Sequence, residues 1–168
     1  GDSRARSEDD KAISILNRVV RWEKAHLKYE ADPRHVEKLS RGLGMENCKS
    51  YATPGVKSIN PSVILGDSHA EGGFQPVPPG PGSNKLDREG MKIYRSAVAR
   101  CDYLAADRYE TAFTTKELCR AMANPTVADA KAIARLCRFL RGLPRMVQRI
   151  RFEDHPPTMI KTLVNSDW

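Results

Sequence analysis

Thr126-Val127-Ala128-Asp129-Ala130-Lys131-Ala132-Ile133-Ala134-Arg135-Leu136-Cys137-Arg138-Phe139-Leu140-Arg141-Gly142 carries the clearest structural signal in the chain. Asp129 lies three residues after Thr126, which is close to a capping box with Asp in the Glu/Gln place. Gly142, with Pro144 beyond it, ends the helix so begun. On a helical wheel Ile133, Leu136, Cys137 and Leu140 fall within an arc of about 100°. Lys131, Arg135 and Arg138 fall within about 60° on the opposite side. One face is therefore apolar and the other basic. Arg141 flanks the basic face, and Arg145, Arg149 and Arg151 follow. Such a stripe suits the phosphates of a nucleic acid, each contact releasing counterions. An ordinary solvated face would have the same pattern.

Two more helices precede this one. Met91, Tyr94, Val98, Cys101 and Leu104 recur at steps of three and four. A weaker pattern covers 111–122 and is broken at Asn124-Pro125. Further upstream, residues 51–87 hold 12 of the 22 glycines and prolines, including Pro76-Val77-Pro78-Pro79-Gly80-Pro81-Gly82. That composition predicts a linker. Before it, an alternating run from Ile13 to Trp22 and a shorter one at Leu27-Lys28-Tyr29 predict a β-hairpin with its turn at Lys24-Ala25-His26. Asp32 caps the next helix, with Pro33 at its first position. Val36, Leu39 and Leu43 form its apolar face, and Gly44 is its stop. At the other end, 146–152 and 160–164 predict two strands joined through Pro156-Pro157.

The expected class is therefore mixed α/β, of the α+β kind. Its parts are a hairpin and helix (1–50), a Pro/Gly-rich linker (51–87), a three-helix segment (88–145) and a terminal β-hairpin (146–168).

Charge follows the same division. The 168 residues contain 28 Lys and Arg against 21 Asp and Glu, a formal net charge of +7. The window 88–151 alone holds 14 basic and 6 acidic residues. A basic balance of this kind fits a polyanionic partner. Leu, Ile, Val and Phe together number 34, a thin supply for a core. No 18-residue apolar run is present, which predicts no membrane span. The polar N-terminus lacks a secretory h-region, so the expected location is intracellular, cytoplasmic or nuclear.

Other chemistry is sparse. Cys48, Cys101, Cys119 and Cys137 have neither C-x-x-C spacing nor neighbouring His pairs, and they read as reduced thiols. His26, His35, His69 and His155 are scattered singly. The segment 79–85 lacks phosphate-loop spacing. The residues therefore offer no catalytic set and no metal site.

The ordered motifs resemble a known family. Tyr94-Arg95-Ser96-Ala97-Val98-Ala99-Arg100 followed by Tyr103-Leu104-Ala105 resembles the "YRS-x-VG…YLA" stretch of copia-type LTR retrotransposon Pol polyproteins. Leu118-Cys119-Arg120-Ala121-Met122 with Asn124-Pro125-Thr126 is similar to "L-x-R-x-M-x-x-PT". Arg138-Phe139-Leu140-Arg141-Gly142 is similar to "RYLKG". Asp32-Pro33-Arg34-His35 resembles "DPRH", and Gly44-Met45-Glu46-Asn47-Cys48-Lys49 with Ala52-Thr53-Pro54 resembles "GM-x-x-CK-x-x-TP". Ser166-Asp167-Trp168 resembles the opening of the ribonuclease H strand "D-x-DWAG". The order and spacing agree over most of 13–168. Departures are Ala99 for Gly, Arg108-Tyr109-Glu110-Thr111 for "RPDI", Ala25-His26 for "DG", and Asn165 for the first Asp of the strand motif.

The resemblance implies part of a reverse transcriptase. It would run from the palm end and a thumb-like helix (1–50), through the linker, to a connection segment (88–145) and the beginning of ribonuclease H (146–168). The parent chemistry would be RNA-directed DNA synthesis by two-metal phosphoryl transfer using Mg²⁺. The family's catalytic Y-x-D-D is not in this sequence, so no catalytic residue or cofactor is expected here. What is expected is a grip on the template–primer, an RNA–DNA or DNA duplex, through Lys131, Arg135, Arg138, Arg141 and Arg145. The remainder of the Pol polyprotein would be the other partner, and a membrane would not. A basic helical module unrelated to a polymerase, binding nucleic acid or protein, and a decayed element copy without function are the competing readings.

Overall fold

The computed structural model describes residues 12–32, 34–55 and 84–152. Pro33, most of the Pro/Gly-rich stretch, the expected strand at 160–164 with its turn, and the 165–168 motif lie outside the described residues. Four strands and four α-helices follow in the order β1 (Ala12–Ile15), β2 (Arg18–Trp22), β3 (His26–Glu30), α1 (Arg34–Gly42), α2 (Arg88–Ala105), α3 (Ala112–Arg120), α4 (Val127–Gly142) and β4 (Val147–Arg151). A short 3₁₀ turn, Tyr109–Thr111, leads into α3. The mixed class expected from the sequence is the one observed. The described residues divide into two units, one of 12–29 with 147–152 and the other within Glu30–Met146.

The first unit is a sheet in the order β1-β2-β3-β4. Here the structure corrects the reading of 13–22 as a single strand. The run is two strands, with Ile13 opposite Val20 and Ile15 opposite Arg18. Leu16 and Asn17 make the turn with φ of 49° and 64°. Positive φ at both central residues matches the right-handed strand twist. Asn tolerates that region, whereas Leu is strained in it. The next turn closes with Glu23 N–H donating to the His26 carbonyl at 2.9 Å. The expected strand after Met146 is β4, and its partner is β3. Phe152 N–H, just past the end of β4, donates to the Ala25 carbonyl, just before β3, at 3.0 Å, so the two strands run antiparallel.

The second unit is helical. Val36, Leu39 and Leu43 from the α1 region, Tyr94, Val98, Cys101 and Leu104 from α2, Leu118 from α3, and Ile133, Leu136, Cys137 and Leu140 from α4 are buried together. These are the periodic positions the sequence marks. Burial of four to five such side chains per long helix holds the bundle together, each contributing about 1.5–3 kcal/mol. Tyr94 is fully buried and its hydroxyl donates to the Leu118 carbonyl at 2.8 Å, tying α2 to α3. The helix ends are also as read. Thr126 and Asp129 form the reciprocal capping box of α4. After α1, Gly44 adopts φ of 62°, Gly44 N–H donates to the Arg41 carbonyl at 3.1 Å, and Met45 N–H donates to the Ser40 carbonyl at 2.8 Å. This pair of bonds is a Schellman closure, and Gly is the residue that takes its left-handed position without strain. The four cysteines are all free, with Cys101 and Cys137 buried; burial pushes the Cys137 thiol up to about 12.

At the start of α1, Asp32 is 5 % exposed and accepts from Arg34 N–H at 3.0 Å and from the Arg34 guanidinium at 2.9–3.1 Å. The guanidinium holds the Asp32 carboxyl below its ordinary value of 3.8. A carboxyl depressed in the folded state stabilises the fold above its unfolded value and loses that contribution as pH falls through its folded value. Unfolding stability should therefore decline as pH falls through the ordinary carboxylate range and below it. Asp32→Asn should flatten this acid limb, as measured by thermal melting across that range.

Candidate nucleic-acid interface

The basic face of α4 does not lie open along its whole length, because segment 50–55 crosses it. Tyr51 N–H donates to the Arg138 carbonyl at 3.4 Å, and Arg138 Nη1 donates to the Tyr51 hydroxyl at 2.8 Å. The Arg135 and Arg138 guanidinium carbons lie 4.7 Å and 5.1 Å from the Tyr51 ring centroid. Arg135 Nη2 also donates to Thr53 Oγ1 at 3.0 Å. At the end of α4 a side chain on Gly142 would place its Cβ 2.7 Å from Ser50 Cβ, so this crossing requires glycine there. Two cations against one electron-rich ring are attractive in themselves. They also keep two long side chains ordered that would otherwise sample many rotamers.

The five basic residues expected to act together are placed differently. Arg138 is 8 % exposed, and its Nε is buried without a hydrogen-bond partner. It lies on the polar side of the helical wheel, as read, but Tyr51 covers it. Arg135 is partly buried beside it, and its Nε is also buried and unbonded. Lys131 and Arg141 are partly exposed and pair with no carboxylate among the described residues. Arg145 leaves the stripe to bind Glu30, with Nε–Oε1 at 2.5 Å and Nη2–Oε2 at 2.8 Å; Glu30 is buried while the Arg145 side chain stays 60 % exposed.

Tyr51, Thr53 and Glu30 are the members of this surface that sequence reasoning misses. Tyr51 falls at an unspecified position of the "GM-x-x-CK-x-x-TP" pattern, so the resemblance passes over it. A lone tyrosine between Lys49-Ser50 and Ala52-Thr53 was the available signal. The arrangement can hold anions by charge and by guanidinium hydrogen bonds. It has no nucleophile–base pair. Among the described residues no three His, Cys, Asp or Glu side chains gather to hold a metal ion, so no step through Mg²⁺ is placed on them. No helix of the described residues is long and apolar enough to cross a membrane.

No family model and no solved structure matches the chain. It is similar to an uncharacterized mitochondrial protein of Arabidopsis thaliana, AtMg00810, at 22% identity over 135 residues. The match covers 80% of this chain and 47% of the relative, so the chain spans about half the length of the curated relative it matches.

Proposed function

We propose that this chain is the thumb-to-connection portion of a copia-type retrotransposon reverse transcriptase polyprotein. Its part there is to hold the template–primer duplex by its phosphates. The observation that carries the reading is that the motif blocks behind the resemblance touch one another in the second unit. The Tyr94-Arg95 block reaches the 118–126 block: Tyr94 bonds the Leu118 carbonyl, and Arg95 donates to the Met122 and Ala123 carbonyls at 2.8 Å and 3.1 Å. The 44–54 block lies on the 138–142 block through Tyr51 and Ser50. Residues scattered over a hundred positions thus form one scaffold behind the basic helix.

In this reading Lys131 and Arg141 supply unpaired positive charge at the ends of the α4 face. Arg135 and Arg138 are fixed between them by Tyr51, and Arg145 stands past the helix with its charge balanced by Glu30. The fixed Arg135 guanidinium loses little further entropy on meeting a phosphate, and the covered Arg138 helps hold Tyr51 against it. The grip needs no base contact and is independent of sequence. The rest of the polyprotein would supply the chemistry. Fluorescence anisotropy of a labelled RNA–DNA hybrid, titrated with the chain at several salt concentrations, tests this. Affinity should fall linearly on logarithmic axes as salt rises. An absence of salt-dependent binding would falsify the proposal.

A further inference from the structure

A second basic feature lies away from α4, between α1 and α2. It is a cleft of about 180 Å³ lined by Lys38, Leu39 and Gly42 from α1 and by Glu89, Lys92, Ile93, Ser96, Ala97 and Arg100 from α2. Leu39 and Ala97 are buried and make its apolar floor with Ile93. Around that floor stand three cations and one carboxylate. Glu89 meets Lys92 at 4.0 Å, with the side chains 68 % and 78 % exposed, so this contact is loose and screened. Lys38 and Arg100 pair with no carboxylate among the described residues. The cleft therefore concentrates unneutralised positive charge against a low-dielectric wall, which strengthens its field. A nearby imidazole feels this field. Burial pulls the His35 proton off first, and Lys38 and Arg100 act in the same direction. Asp32 opposes them, and Arg34 adds to them. His35 itself is stacked on Tyr103, with centroids 4.4 Å apart, which closes that end of the α1–α2 contact.

We propose that this α1–α2 cleft is a binding site for a phosphoryl group, held by Lys38, Lys92 and Arg100 with the Ser96 hydroxyl as a further donor. Two ammonium groups and a guanidinium lining one cleft from two helices suit a compact tetrahedral anion. The apolar floor of Leu39, Ile93 and Ala97 would meet the organic part that carries it. The phosphoryl group could come from a small phosphoester or from a nucleic-acid backbone. The site uses none of the α4 residues, so its failure would leave the reading of α4 standing.

The test is an amide NMR titration of the full chain with inorganic phosphate, with deoxyadenosine monophosphate and with a short DNA oligonucleotide. Chloride keeps the ionic strength constant. Amides of Lys38, Ile93, Ser96 and Ala97 should shift and saturate with phosphate. The K38Q/R100Q double variant should weaken this by about tenfold or more. Glu89→Gln, on an exposed side chain, should tighten it by about two- to threefold. This gain keeps the test decisive even if the double variant folds poorly. Tighter binding of the mononucleotide than of phosphate assigns the site to small phosphoesters. Tighter binding of the oligonucleotide per phosphate assigns it to a backbone. Shifts that never saturate, that chloride reproduces, or that Glu89→Gln leaves unchanged overturn the proposal. So does a response to the oligonucleotide alone.

Discussion

Glu110→Ala should destabilise the helical unit by about 2–4 kcal/mol, among the largest single-residue effects outside the apolar core. The reason is Arg108. Its residue is 1 % exposed, and its Nε donates to Glu110 Oε1 at 2.6 Å. Arg108 Nη2 and Glu110 Oε2 are buried without hydrogen-bond partners. Removing the carboxylate strands a buried guanidinium, and the attraction that offset its desolvation is gone. The same residue anchors the turn into α3, since its carbonyl accepts from Thr111 N–H at 2.9 Å and from the Thr111 hydroxyl at 2.8 Å. Replacing both members by leucine should recover most of the loss, because an apolar pair carries no charge to desolvate. Urea denaturation of Glu110→Ala, and of Arg108→Leu, Glu110→Leu and the double leucine variant read as a cycle, checks this. A Glu110→Ala midpoint equal to that of the parent would show that the pair does not hold the turn.

This ion pair also marks where sequence reading stops. Local features were legible. The capping box of Thr126 and Asp129, the Gly44 closure and the apolar steps through Tyr94, Val98 and Cys101 depend on residues within one or two turns of each other. The β1–β2 turn was legible in principle as well. The apolar phase moves from odd positions, Ile13 and Ile15, to even ones, Val20 and Trp22, across Leu16-Asn17. In a two-residue hairpin opposed residues differ in parity, so this shift is the mark of the turn. With Leu at one of the two turn positions, the run still looks like one strand.

Long-range partners were not legible. Arg138 meets Tyr51 across 87 positions, and Arg145 meets Glu30 across 115. A helical wheel gives the direction of an arginine from its own axis but not what crosses that direction. Nor does Arg108 announce its burial. It stands between Asp107 and an exposed Tyr109, yet it is 1 % exposed, which the local sequence does not signal.

The covering of Arg138 separates two ways in which the α4 face could matter, and the salt dependence of binding tells them apart. Lys131 and Arg141 have no carboxylate partner to lose among the described residues, so replacing both by glutamine should leave the fold intact. It should reduce the magnitude of the salt slope by about two, one for each phosphate contact removed. With a slope of about 0.9 per phosphate, loss of two contacts weakens hybrid binding at about 0.1 M salt by roughly 60-fold, alike for every sequence. Arg138→Gln should behave differently. Its guanidinium is tied to Tyr51 and nearly buried, so the variant should loosen segment 50–55 and lower the melting temperature. The salt slope should change only as far as Arg135 loses its fixed position. Parallel anisotropy titrations and thermal melts of these variants measure both effects. Equal slopes for the parent and the Lys131/Arg141 variant would mean that the unpaired charge of α4 faces only solvent.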